Sequence, residues 1–258
     1  MNYTDFTYDE AHNLKIRLRM PEGVENPPLF IYIHGGGITG GSYTDHKEAL
    51  EELTRDGIAT ASIDYRLYPN AKYPEFIEDS AAAVAYMKNL ADCSFSDIFV
   101  GGSSAGSYLS MMLFFDPKYL GAHGIDPMSL GGYVFDAGQP TVHYNVLRER
   151  GMDSRLLRVD EAAPIYHITK DYDTSKHLPK IVRIAGHQVP PPAGAAPARD
   201  HAPLRLSGHP QQVLLHERLQ PLPIQQHPRL RGAGRIDHQV KNPRTENPCG
   251  NFYTTWNR

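Results

Sequence analysis

The feature that most constrains this 258-residue chain is a five-residue turn motif, G-x-S-x-G, which spans Gly102–Gly106 and has Ser104 at its centre. A short apolar strand is predicted over 97–100 before it, and a buried helix over 107–114 after it. A serine on a sharp strand-to-helix turn projects its hydroxyl from the backbone, and such a strained turn needs small neighbours. Glycines at 102 and 106 meet that need. The motif predicts a nucleophilic serine, although five residues alone are too few for an assignment.

A second glycine tract, His34-Gly35-Gly36-Gly37, directly follows an apolar strand predicted over 29–33. Backbone N–H groups of such a loop can approach a developing oxyanion closely because no Cβ atom stands in the way. Read together, the two tracts predict acyl transfer. The alternative interpretation is a loop that merely turns the chain, with His34 as an ordinary loop histidine.

Four motifs follow one another along the chain: His34–Gly37, Asp-Tyr-Arg-Leu-Tyr-Pro at 64–69, Tyr73-Pro74 followed by Glu78-Asp79, and Gly102–Gly106. In this order and spacing they resemble the hormone-sensitive-lipase-like branch of the α/β-hydrolase esterases. The resemblance runs from about residue 25 to 186 and implies an α/β-hydrolase fold, with a mostly parallel sheet and helices on both faces. It also implies a serine esterase that acts on small acyl esters and needs no metal or cofactor.

The resemblance also implies a role for each matching residue. Ser104 would attack the ester carbonyl, and the N–H groups of Gly35, Gly36 and Ala105 would hold the oxyanion. A histidine and an acid from the C-terminal part would complete the triad. The further candidates for substrate contact are His34, Gly37 and Gln139. The competing hypothesis is a non-catalytic protein of the same fold that binds a ligand or a partner.

Strands alternate with helices along the first two thirds of the chain, which predicts a mostly parallel sheet. Apolar residues alternate over 6–19, and we expect one half-exposed edge strand there. Asp64, Arg66 and Asp79 are expected to fix a loop rather than to touch substrate. Gln139 and His143 follow a strand predicted over 130–136, where they could line the acyl or alcohol pocket or be ordinary loop residues.

The overall charge gives no reason to expect a nucleic acid or an anionic membrane as a partner, because the net charge is only −3. Cys93 and Cys249 lie too far apart in sequence to suggest a disulfide framework or a metal cluster. No uninterrupted apolar run is long enough to span a bilayer, and the first residues do not read as a signal peptide. We expect a cytoplasmic protein, and its oligomeric state stays open.

The sequence changes character at His187. Residues 187–258 hold 11 of the 21 prolines but only 1 of the 15 tyrosines. Proline at this density does not fit strands and helices, because it lacks an amide donor and fixes φ. We therefore expect an incomplete hydrolase core over 1–186 and an aberrant, disordered tail rich in Pro, Gln and Arg over 187–258. The C-terminal strand and helix of the fold would then be missing.

A frameshift near Gly186 would explain this tail. When the codons are read one base later, residues 218–223 can encode Gly-Tyr-Asn-His-Cys, which resembles the segment around the catalytic histidine of the family. In the same frame, 213–217 allows Phe-Tyr-Phe-Thr, a good β-strand. Synonymous codons make such a match permissive, so resequencing of the coding DNA is the deciding test. As printed, the tail offers no recognisable base, and we expect an impaired enzyme.

Overall fold

The computed structural model describes residues 2–168 and the backbone of one further strand, 180–184. All of these residues belong to one compact unit. The seven described strands are β1 Thr4–Asp9, β2 Leu14–Arg19, β3 Leu29–Ile33, β4 Ala59–Ile63, β5 Ile98–Ser103, β6 Gly132–Asp136 and β7 Lys180–Ile184. The helices are α1 Lys47–Arg55, α2 Glu75–Lys88, α3 Ala105–Phe115, α4 Lys118–Gly121 and α5 Tyr144–Glu149, with 3₁₀ turns at Pro127–Ser129 and Pro164–His167.

The strands form one sheet in the order β1-β2-β4-β3-β5-β6-β7. The pairs β1/β2 and β2/β4 are antiparallel, and the four pairs from β4 to β7 are parallel. Each parallel connection whose residues are described carries at least one helix, as parallel crossovers require. The prediction of a mostly parallel α/β sheet is confirmed.

The N-terminal edge of the sheet differs from the sequence prediction. The single strand expected over 6–19 is wrong, because β1 and β2 form an antiparallel hairpin in which Phe6 pairs with Ile16. The turn between them has no glycine or proline. Asn13 supplies the left-handed residue instead, with φ 52°, and the Asp9 carboxylate accepts a hydrogen bond from the His12 N–H. Asparagine tolerates this conformation better than most residues, which was the available signal.

Helices cover both faces of the sheet. Thr54 of α1 lies against Thr60 of β4, with 3.1 Å between the two hydroxyl oxygens. On the opposite face, Tyr86 of α2 packs against Phe6, whose partner Ile16 pairs in turn with Ile63. Because successive residues of a strand point to opposite faces, Thr60 and Ile63 mark the two sides of the sheet. The expected layered architecture is confirmed.

The centre of the sheet brings the two glycine tracts together. β3 and β5 are parallel neighbours, and Ile33 pairs with Gly102 in register. The carboxyl ends of the two strands therefore reach the same edge, where ligands meet open α/β sheets. α3 begins there, and its residues 105–114 are all buried, so the helix is a rigid central support.

The acidic and basic residues after β4 hold a loop together, as predicted. The Arg66 guanidinium donates hydrogen bonds to both carboxylate oxygens of Asp79 and to Glu75, all between 2.8 and 3.1 Å. The Asp64 carboxylate accepts a hydrogen bond from the Tyr43 N–H at 2.8 Å. These contacts connect the end of β4 to the start of α2.

The predictions about the C-terminal part concern residues beyond the described ones. The boundary at residue 186, the disordered tail 187–258, the missing C-terminal strand and helix, and the frameshift all remain predictions. None of the helices in the described part combines the length and the hydropathy that a bilayer crossing requires.

Candidate active site

Ser104 occupies a strained turn between β5 and α3. Its φ of 54° and ψ of −114° lie in a region that non-glycine residues rarely adopt. Its N–H donates a 2.8 Å hydrogen bond to the Asp136 carbonyl at the end of β6, and its own carbonyl accepts from the Tyr108 N–H in α3. The residue is exposed although the helix after it is buried. The fold thus presents the Ser104 hydroxyl group to solvent on a rigid turn.

The glycines on either side of Ser104 allow the turn to approach β3. A Cβ atom on either Gly102 or Gly106 would overlap the Ile33 carbonyl oxygen. A Cβ atom on Gly35 would lie 3.0 Å from the Ser103 carbonyl oxygen and 3.5 Å from Ser104 Cβ. The glycine loop after β3 therefore lies directly against the serine turn, so the structure brings the two tracts together.

The carbonyl groups of the loop over 34–38, which we call the glycine loop, all accept hydrogen bonds from the protein. Two of the donors are side chains that lie far away in sequence, and the others are local or on the neighbouring loop. His34 accepts from the Tyr65 hydroxyl at 3.1 Å, Gly35 from His34 Nδ1 at 2.7 Å, Gly36 from the Thr39 and Gly40 N–H groups at 3.2 and 3.1 Å, Gly37 from the Asn145 side-chain amide, and Ile38 from the Tyr68 N–H at 2.9 Å.

The amide groups beside Ser104 are not bonded within the protein as these carbonyl groups are. Within residues 2–168, no described carbonyl or side chain accepts a hydrogen bond from the N–H of Gly35 or Gly36. The N–H of Ala105 belongs to the first turn of α3, where a helix leaves its amides without intrahelical partners. Carbonyl groups that are already hydrogen-bonded within the protein, together with amide groups that lack a described acceptor near Ser104, are the arrangement that an oxyanion requires.

His34 lies inside the protein and supports the loop. It is 1% exposed, and its ring stacks on the Tyr65 ring at 4.4 Å between centroids. Because a carbonyl can only accept, the bond to Gly35 places the proton on Nδ1. Burial lowers the pKa of His34, which keeps the ring neutral. This placement does not fit the direct substrate contact predicted for His34.

The other two candidates for substrate contact, Gly37 and Gln139, are also engaged by the protein. Gly37 is buried, and its carbonyl accepts from Asn145. The Gln139 side-chain amide donates to Thr141 Oγ1 at 3.0 Å and to the Val142 carbonyl at 2.9 Å, within its own loop. Their contact with substrate therefore stays a prediction.

His143 is the buried N-cap of α5. It is 2% exposed, and its Nδ1 accepts the Asn145 N–H at 3.2 Å. Its ring packs against those of Tyr108 and Tyr144. Burial lowers its pKa to about 4. Of the two sequence interpretations of His143, the structure favours a residue that stabilises a loop.

The described residues place no candidate base beside Ser104. Within residues 2–168, no histidine or carboxylate side chain forms a hydrogen bond with Ser104. Nor do the described His, Cys, Asp and Glu side chains form any group of three or more that could hold a metal ion.

Sequence reasoning missed Asn145 as a residue of this site. It lies 108 positions from the carbonyl group that it holds, and nothing in its neighbours announces the contact. Tyr65 stands within a motif quoted for the resemblance, but its bond to the His34 carbonyl could not be inferred from spacing.

Comparison with known proteins supports the same fold. A family model described as alpha/beta hydrolase fold matches residues 30–125. The acetyl esterases of Salmonella typhi and Salmonella paratyphi B are each 34% identical to the chain over 99 residues, which are 37% of this chain and 30% of each relative. The match therefore spans less than a third of the length of these curated relatives.

Solved structures extend the likeness beyond that segment. The apo form of Thermogutta terrifontis esterase 2 superposes with a TM-score of 0.57 at 19% identity and covers 70% of either chain. A bacterial heroin esterase gives 0.53 at 21% identity over 70% of this chain and 65% of its own. The chain thus has an α/β-hydrolase fold, and its predicted resemblance to hormone-sensitive-lipase-like esterases of that fold is confirmed.

Proposed function

We propose that this protein is a serine carboxylester hydrolase that transfers small acyl groups from esters to water through Ser104. One observation carries the proposal: an exposed serine on a strained turn lies against a loop whose carbonyls all accept hydrogen bonds within the protein and whose Gly35 and Gly36 amides have no described acceptor. A loop that merely turns the chain has no need of this polarity.

The chemistry follows from the positions of these groups. The Ser104 oxygen attacks the ester carbonyl and forms a tetrahedral adduct, while its proton passes to a base. The negative charge on the former carbonyl oxygen is stabilised by the amides of Gly35, Gly36 and Ala105. The base then protonates the leaving alcohol, and an acyl-enzyme remains. In the second half of the reaction, water gives a proton to the same base and attacks the acyl group. The base returns that proton to the Ser104 oxygen as the carboxylic acid leaves.

The base has to come from residues outside the described part. The printed tail contains histidines, but none stands in the strand-end context that the family resemblance implies. Without a base, turnover falls by about a millionfold, and the binding and oxyanion contacts still give about 10³ to 10⁴ over water. We therefore propose that the printed chain is strongly impaired.

Short acyl esters are the substrates that we propose, because relatives that are 34% identical to the chain over 99 residues are described as acetyl esterases. No step above requires a metal or an organic cofactor. We also propose a cytoplasmic location, which cell fractionation would test.

The test uses p-nitrophenyl acetate and three proteins. The first is the chain as printed. The second, which we call the restored chain, is encoded by DNA that is read one base later after Gly186, in the frame described above. The third is Ser104→Ala in the restored chain. We expect the restored chain to be faster than the printed one by about a millionfold, and Ser104→Ala to remove this gain. Equal rates for the printed and restored chains would refute the frameshift.

Ser103→Ala in the restored chain is the matched control, since it removes a hydroxyl one residue earlier. We expect its rate to stay within a few-fold of the restored chain. If Ser104→Ala were as active as this control, Ser104 would not be the nucleophile. The non-catalytic alternative predicts no gain in either frame and saturable ligand binding that both alanine variants retain.

A further inference from the structure

We infer that Asn145 is a positioning residue, whose side chain fixes the glycine loop in the conformation that aims the Gly35 and Gly36 amides at the oxyanion. The purpose of this contact rests on the proposed function, whereas the contact itself does not. Asn145 lies at the start of α5, on a segment that none of the motifs above includes.

The contacts of Asn145 fix the orientation of its amide. Nδ2 donates to the Gly37 carbonyl, and Oδ1 accepts from the Arg148 guanidinium at 3.4 Å. A carbonyl only accepts and a guanidinium only donates, so the reverse orientation of the amide would lose both bonds. Asn145 is 5% exposed, and its backbone N–H is taken by His143. A carboxylate at this position could not replace the donor.

The loop needs such a contact because its backbone is intrinsically free. Gly36 and Gly37 have φ values of 105° and 66°, in a region that glycine enters as readily as the normal one. Two successive glycines of this kind give the chain many alternatives of similar energy. A directed bond to the Gly37 carbonyl selects one of them, and through it the direction of the preceding peptide groups.

The surroundings of Asn145 make the support rigid. The Tyr144 hydroxyl occupies the space that a Cβ atom on Gly37 would need. The Tyr144 ring packs on His143, and the His143 ring on Tyr108 of the central helix α3. The loop is therefore connected through α5 to the helix that begins directly after Ser104, which keeps nucleophile and amides in register.

Hydrogen exchange of the full printed chain tests the contact itself. Asn145→Asp removes the donor at constant size, and Asn145→Ala removes the side chain in case the buried charge prevents folding. We expect peptides covering 34–41 to exchange at least tenfold faster in both variants. Arg148→Ala, which removes the other partner of the same amide, is the matched control and is expected to leave that exchange within twofold. Unchanged exchange in both Asn145 variants overturns the inference.

Kinetics in the restored chain test the role. Displacement of oxyanion donors lowers kcat by about 10- to 100-fold, and we expect this in both Asn145 variants with KM within threefold. A general loss of structure would instead reduce the active fraction and the melting temperature in parallel. Wild-type kcat in a variant with a mobile loop overturns the positioning role. If Ser104→Ala does not lower turnover, the proposed function fails, while exchange still decides the Asn145 contact.

Discussion

The turn after β5 and the glycine loop after β3 end neighbouring strands at the same edge of the sheet, and both are rich in glycine, yet different interactions hold them. The serine turn is held by backbone: the Ser104 N–H bonds to the Asp136 carbonyl, and Gly106 packs on Ile33. The glycine loop is held largely by side chains, among them those of Tyr65 and Asn145. The first conformation is therefore fixed by backbone contacts with the neighbouring strands, and the second mainly by side chains from other parts of the fold.

This difference has a thermodynamic consequence. A turn held by backbone contacts within the core can change only if the core changes, whereas a loop held by side chains can be released one bond at a time. We expect substitutions in the turn to cause the largest loss in the free energy of unfolding, and substitutions around the loop to cause smaller losses together with local opening of the loop.

The largest effect is expected from Gly106→Ala. A Cβ atom there would overlap the Ile33 carbonyl oxygen and approach that of His34, and backbone in a buried sheet cannot move away cheaply. We expect a loss of about 3 kcal/mol or more in the free energy of unfolding, measured by urea denaturation.

Gly121→Ala is the matched control for Gly106→Ala, because nothing lies within 4 Å of a Cβ atom at Gly121. It should leave stability within about 0.5 kcal/mol. Comparable stability of the two variants would show that the serine turn is not held against β3 as described.

The second-largest effect is a loss in the free energy of unfolding at acid pH, caused by His143 beside the glycine loop. His143 has a pKa of about 4 in the folded protein, below the ordinary value of 6.5, because it is buried. As pH falls, His143 therefore takes up a proton in the unfolded chain before it does so in the folded protein. The contribution of neutral His143 to stability is complete above about pH 6.5 and is lost toward pH 4, and it amounts to about 3 kcal/mol. Burial lowers the pKa of His34 in the same direction.

His143→Asn sharpens this prediction, because asparagine keeps an N-cap acceptor but does not titrate. Urea denaturation at pH 7, 5.5 and 4.5 should show a smaller loss of stability in this variant than in the unchanged chain. Hydrogen exchange at pH values matched for intrinsic rate should show the glycine loop opening before the serine turn. Identical pH dependence of the two proteins would contradict the assignment.

The same division explains what could be read from the sequence. The serine turn was predictable because the residue types that it needs, a serine between two glycines, all lie within residues 102–106. The support of the loop was not, since Asn145 is far away in sequence and His34, placed beside glycines, looks like a group free to meet substrate. The hairpin between β1 and β2 was missed for a related reason: its turn depends on the conformation of Asn13, which alternation of apolar residues does not report.

The smallest effect is expected from Tyr65→Phe, which removes one loop support and keeps the ring that stacks on His34. The His34 carbonyl then loses its 3.1 Å hydrogen bond in a buried place, at a cost of about 1 to 2 kcal/mol. Tyr166→Phe, at an exposed ring, is the control and should cost less than about 0.5 kcal/mol in the same urea titration. Asn145 and the Tyr68 N–H still hold the carbonyl groups of Gly37 and Ile38. We therefore expect kcat in the restored chain to fall less in Tyr65→Phe than in the Asn145 variants. A larger loss of kcat in Tyr65→Phe than in Asn145→Ala would mean that the loop is controlled from the β4 side and not from α5.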